Sequence, residues 1–118
     1  GGGSVVNVAS SAALDGNSGR AAYGASKAAL LCATRALSRE VGAQGVRANV
    51  IAPGITETDM IGSMTDAVIG ETLAGTDLRR IGLPADIAGV AVYLASDLSG
   101  YVTGQRIEVD GGSSGIRR

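Results

Sequence analysis

Histidine, tryptophan and phenylalanine do not occur in these 118 residues, and cysteine occurs once. Without histidine, Ser-His-Asp and Cys-His catalysis are impossible within the chain, and Cys/His zinc sites fail with them. A single thiol forms no intrachain disulfide. Lysine is scarce as well: nine of the ten basic residues are arginine, and Lys27 is the only lysine. Ten basic residues against eleven acidic ones leave a net charge of -1. No basic excess is offered to nucleic acid or to an anionic membrane. Apolar runs such as Val90 to Ala95 are far too short to span a bilayer. The N-terminus has no basic-then-apolar signal pattern, which favours a reducing cytoplasm.

What is present suits an ordered α/β protein. Hydrophobic residues make up 45%, enough for a packed core, and glycine reaches 19 of 118. Ser4 to Ala9 is a β-branched, uncharged run, the mark of a strand buried on both faces. A loop to about Arg20 leads into a helix over 21–44, with Leu30, Thr34, Leu37 and Val41 at helical spacing. Val46 to Ala52 reads as a second strand, stopped by Pro53 and Gly54. Strand, long helix and strand make a βαβ unit with parallel strands. Met60, Met64, Val68 and Leu73 sketch one or two short helices, Pro84 opens another, and 105–109 is a third strand. The sum is half of an open, doubly wound Rossmann-type sheet, over residues 1–112, with a tail at 113–118 and one strand edge unpaired.

Three places carry chemistry. Tyr23 and Lys27 stand four apart near the start of the long helix, so phenol and ammonium share a face. A free tyrosine titrates near pH 10, and a cation beside it favours the phenolate, giving a usable general acid or base. An exposed tyrosine and a solvated lysine also fall four apart by chance, but the lack of any other lysine argues for purpose. Ser10 and Ser11 follow the first strand, at the carboxyl end where open α/β sheets bind ligands. A hydroxyl there can donate to an oxygen that gains charge, or simply cap a turn. Pro53-Gly54-Ile55-Thr56-Glu57-Thr58 ends the second strand, where backbone groups and hydroxyls could hold a planar amide. By itself that segment reads as an ordinary strand-ending turn.

Taken together the three segments resemble the classical short-chain dehydrogenase/reductase family. Asn7-Val-Ala-Ser10, Tyr23-x-x-x-Lys27 thirteen residues after that serine, and Asn49-Val-Ile-Ala-Pro53-Gly54 come in the family's order. Arg80-Ile-Gly-Leu-Pro-Ala-Asp-Ile-Ala, Tyr101-Val-Thr-Gly-Gln and Val109-Asp-Gly-Gly are similar to its C-terminal signatures. The likeness runs from Gly2 to about Gly112 and is strongest to the classical subfamily that includes 3-oxoacyl-carrier-protein reductases and many sugar and alcohol dehydrogenases. It implies an NAD(P)-dependent oxidoreductase interconverting a ketone and a secondary alcohol, using NAD or NADP and acting on a small-molecule substrate. Tyr23 is then the proton donor or acceptor, Lys27 its electrostatic partner and the ligand of the nicotinamide ribose, and Ser10 rather than Ser11 the holder of the substrate oxygen. Pro53, Gly54, Thr56 and Thr58 surround the nicotinamide, and Cys32 becomes a small core residue.

The family's glycine-rich phosphate turn, ribose discriminator and catalytic asparagine are not matched in this sequence. Gly1-Gly-Gly precedes a strand instead of opening a helix. The competing expectation is therefore a truncated, catalytically incomplete chain acting only as an oligomerising module. A weaker third is a binding protein that reuses the cleft without a nucleotide. The segment 58–80, with its Met, Ile, Ala and Gly, suits a moderately apolar substrate. The long helix is apolar or small around much of its circumference, which predicts a homodimer or homotetramer.

Overall fold

The computed structural model describes residues 2–11, 15–57, 62 and 64–113. The first strand, β1 (Gly3–Val8), leads through a loop into α1 (Ala21–Val41), then a 3-10 turn at Gly42–Gln44 and β2 (Val46–Pro53). α2 (Asp66–Ala74), α3 (Pro84–Ala95), a second 3-10 turn at Asp97–Ser99 and β3 (Arg106–Val109) complete the order. The described strands form one parallel sheet in the order β1-β2-β3. Gly3 stands opposite Val46 and Val8 opposite Ile51, while Val50 faces Arg106 and Pro53 faces Val109. This is the half-sheet expected from the sequence. Thr58 and Met60 lie outside the described residues, as does the tail beyond Ser113.

β2 holds the centre, with Ala48, Asn49, Val50, Ile51 and Ala52 all buried. Successive side chains of a strand point to opposite faces. Val50 turns to α1, while Arg47 and Asn49 turn to α3 and the loop after it, where their hydrogen bonds go. β1 differs from its sequence reading. Its residues are half-buried at best, and both ends are exposed, because only β2 pairs with it among the described residues. A run of valines marks a strand, but it does not say how many neighbours that strand has.

α1 buries Thr34 and Ser38 rather than a row of leucines. Thr34 Oγ1 donates to the Leu30 carbonyl at 2.6 Å and accepts from Asn7 Nδ2 at 2.9 Å, so its burial costs no lost hydrogen bond. Cys32 corrects the expectation of a core thiol: it is exposed. It falls two positions from Thr34, about 200° around the helix, and so leaves the buried stripe that Thr34 and Ser38 occupy.

The start of α3 is built as its sequence suggests. Pro84 occupies the first helical position, where a missing N–H costs nothing. The Asp86 carboxylate accepts from the Leu83 N–H at 2.6 Å and pairs with the Arg80 guanidinium at 2.7 and 3.0 Å. The hydrogen bonds from Arg80 and from Leu83 lower its pKa from the ordinary 3.8 to about 2. The folded value lies below the unfolded one, so the contribution is whole above about pH 4 and is lost as the pH falls toward 2. Acid titration followed by NMR should loosen the first turn of α3 in that window. An Asp86→Asn variant should show no such step.

Candidate active site

The carboxyl ends of β1 and β2 lie side by side, and the first turns of α1 stand above them. Lys27 Nζ donates to the Val8 carbonyl, the last of β1, at 3.4 Å. One turn earlier on α1, the Tyr23 ring centroid lies 5.9 Å from that ammonium. The ring also has the Arg20 guanidinium over it, 4.3 Å from the centroid, within cation–π range. Sequence reasoning passed over Arg20, although its place three residues before Tyr23 puts it on the same side of the chain. Ser26 Oγ donates to the Tyr23 carbonyl at 2.8 Å and fastens this turn.

The loop leaving β1 is tied to the end of β2. Ala9 N donates to the Ile51 carbonyl at 2.8 Å, and Ser11 N to the Pro53 carbonyl at 3.0 Å. Ser10 is held between these two bonds, half-buried, two residues beyond the carbonyl that Lys27 touches. Serine, tyrosine-lysine and Pro-Gly segments therefore converge on one sheet end, as ligand binding in an open α/β sheet requires.

Gly54 has a steric reason to be glycine. A Cβ there would stand 2.6 Å from Asp110 Cβ and 2.8 Å from its Cα. Its N–H donates to the Val109 carbonyl at 3.0 Å, so the turn after β2 is pressed against the end of β3. Thr56 Oγ1 donates to the Gly54 carbonyl at 3.2 Å, and the Thr56 backbone bridges to Gly82. Its hydroxyl proton is thus committed within the turn. Thr58, the other hydroxyl expected here, is outside the described residues.

Beside this turn is a polar cavity of about 230 Å³ whose walls include Ser11 from the loop after β1, Glu71 from α2 and Asp110 from the end of β3. Next to it on β3, burial pushes the Glu108 carboxyl up in pKa; Arg106 opposes this, and the Asp110 and Asp15 charges add to it. Arg106 Nε is 2.8 Å from Glu108 Oε1, yet neither carboxylate oxygen has a well-formed hydrogen bond among the described residues.

Residues 1–114 match the family profile described as Enoyl-(Acyl carrier protein) reductase. The 3-oxoacyl-(acyl-carrier-protein) reductase FabG of Chlamydia trachomatis is 46% identical over 110 residues, covering 93% of this chain and 44% of that protein. Among solved structures, a candidate 2-deoxy-d-gluconate 3-dehydrogenase from Agrobacterium tumefaciens with bound NADP superposes with a TM-score of 0.90 at 37% identity, over 95% of this chain and 46% of that one. A 4-hydroxyisoleucine dehydrogenase complexed with NADH gives a TM-score of 0.90 at 35% identity, over 97% and 48%. The fold and the order of these segments define a dinucleotide-type α/β sheet, and the chain belongs to the short-chain dehydrogenase/reductase family. It spans less than half the length of the curated relatives it matches.

Proposed function

We propose that this chain supplies the chemical half of an NAD(P)-dependent oxidoreductase that interconverts a ketone and a secondary alcohol. The observation that carries the reading is Tyr23 one helical turn from Lys27, with that lysine anchored on the last carbonyl of β1. The alcohol proton passes to the tyrosinate in oxidation, and the phenol returns it to the carbonyl oxygen in reduction. The Arg20 guanidinium and the Lys27 ammonium stand 4.3 and 5.9 Å from the ring centroid, so two cations flank the phenol. Ser10 holds the substrate oxygen by donating its hydroxyl proton.

The residues present fit the nicotinamide end of a dinucleotide. Lys27 is half-exposed at the sheet end, in place to reach ribose hydroxyls. Pro53, Gly54 and Thr56 offer a fixed backbone turn for the ring and its carboxamide, and Thr58 extends that segment. A bound nicotinamide would accept or deliver the hydride. No glycine-rich turn leads from a strand straight into a helix among the described residues, so the pyrophosphate end is left to the rest of a full-length domain. The NADP- and NADH-bound structural relatives support either cofactor.

Ser10 and Ser11 are separable by experiment. Ser11 contributes a backbone bond and a place on the cavity wall, whereas Ser10 sits nearer the lysine-bound carbonyl. In the full-length polypeptide, Ser10→Ala should lower kcat strongly and Ser11→Ala by no more than a few-fold. The reverse pattern would move the oxygen-holding role to Ser11.

We also propose that the chain assembles with itself as a dimer or tetramer. Ala22, Ala25, Ala29, Cys32 and Ala36 are exposed along one side of α1, a surface that admits a second helix closely. Val92, Leu98 and Tyr101 project from α3 and its following turn at 68%, 85% and 104% exposure. Light scattering should find no stable monomer at micromolar concentration, and a soluble monomer would refute the assembly.

A further inference from the structure

Seven of the nine arginines lie in the described residues, and five of the seven have a side-chain partner there. Arg20 lies over a ring, Arg47 and Arg79 donate to carbonyls, and Arg80 and Arg106 pair with carboxylates. Arg35 and Arg39 are the exceptions. Among the described residues neither guanidinium has a hydrogen bond or an ion pair. They stand four apart on α1 and share one face of it, about 5–6 Å from each other at Cβ. Both line a cavity of about 660 Å³ between α1 and β3. α1 packs mainly over β2, so the groove opens where β3 passes beyond the helix. Arg106 enters from β3, because it stands opposite Val50 in the register and shares its face of the sheet. Its Nε lies 2.8 Å from Glu108 Oε1, which leaves the two terminal nitrogens without a described partner. No carboxylate lines the cavity among the described residues, and Leu31, Ala36 and Val50 supply apolar wall.

Three guanidiniums gathered around one groove repel each other unless an anion stands between them. Glu108 offsets one of the three charges, so two remain to be matched. A simple carboxylate carries one. A phosphomonoester carries about −1.5 to −2 at pH 7 and offers three acceptor oxygens, enough for forks reaching in from a helix and a strand. Inorganic phosphate meets the charge but leaves the apolar wall uncovered. A second copy of α1 laid alongside would bring its own Arg35 and Arg39, adding like charge instead of relieving it. We propose that the groove between α1 and β3 binds a soluble phosphomonoester with an apolar or aromatic body, its phosphate held by Arg35, Arg39 and Arg106. Arg35 and Arg39 lie about 18 and 24 Å along α1 from Tyr23, so this site is separate from the candidate active site.

The test is an NMR titration of the isotope-labelled chain with phenyl phosphate, inorganic phosphate, benzoate, and phosphatidylcholine vesicles containing phosphatidic acid. Phenyl phosphate should shift the amides of Arg35, Arg39 and Arg106 and leave those of Val8 and Tyr23 unmoved. It should bind at least tenfold more tightly than inorganic phosphate or benzoate. Replacing Arg35 and Arg39 together by glutamine should weaken it at least tenfold with Tm unchanged, since both side chains are exposed and make no described bond. Arg106→Gln should weaken it in the same direction. Equal affinity for benzoate or inorganic phosphate, tighter binding to the vesicles, or full binding by the double variant would overturn the proposal. So would a double variant that changes the oligomeric state in light scattering while the parent chain ignores phenyl phosphate, because the groove would then belong to a second copy.

Discussion

Replacing Tyr23 by phenylalanine in the full-length enzyme should lower turnover by about two to three orders of magnitude or more, the scale of a lost general acid–base group. The substitution removes one oxygen. It leaves the ring in place beneath the Arg20 guanidinium, 4.3 Å from its centroid, so the first turn of α1 should keep its shape. Cofactor binding should therefore survive, as read by the fluorescence of bound NADH or NADPH. Lys27→Ala should behave differently, because in the proposed mechanism the ammonium serves tyrosine and ribose, and in the structure it anchors α1 to the Val8 carbonyl. Both turnover and cofactor affinity should fall. A Tyr23→Phe enzyme with near-normal kcat would end the proposed mechanism.

The second large effect concerns stability. Arg47 on β2 reaches across the α3 side of the sheet, and one nitrogen donates to Ser99 Oγ at 2.8 Å and the Val102 carbonyl at 3.3 Å. The other donates to the Leu94 and Ser96 carbonyls at 3.0 and 3.2 Å. These carbonyls belong to the end of α3, where backbone oxygens lack helical partners and the helix dipole is negative. One guanidinium thus closes the helix and pins the following turn. Arg47→Met keeps much of the side-chain volume but abandons these acceptors, and should cost about 3 kcal/mol. Thermal unfolding should move down by roughly 10–20 °C. Arg47→Lys should recover only part of this, since a single ammonium cannot span the four acceptors. An unchanged melting temperature in Arg47→Met would show that water replaces the guanidinium freely.

The contrast between Tyr23 and Arg47 explains what could be read from the chain alone. Tyr23 and Lys27 are one helical turn apart, so their proximity follows from helix geometry. The strands were legible from β-branched runs bounded by glycine and proline, and their parallel pairing from the length of α1. Arg47 looked like any strand arginine, because its partners lie 47 to 55 residues further on. Gly54 could be seen to end a strand, but its need to be glycine comes from Asp110 on another element. Thr34 kept its place on the helical stripe with Leu30 and Leu37, where Asn7 of the facing strand partners its hydroxyl, while Cys32, expected in the core, is exposed.

The long reach of the β2 contacts has a consequence for synthesis. Asn49 is wholly buried, with Nδ2 donating to the Val102 carbonyl and Oδ1 accepting from the Gln105 N–H, 56 positions away. At about 5–20 residues per second, a ribosome needs roughly 3–11 s to make the intervening chain. Through that whole interval β2 lacks β3, and until Ala95 is made it also lacks the α3 that covers its second face. The nascent segment must therefore wait with Asn49 and Ile51 open to water or to a holding chaperone. A stop codon placed before Gln105 should leave the Asn49 side-chain oxygen without its Gln105 N–H partner and destabilise β2.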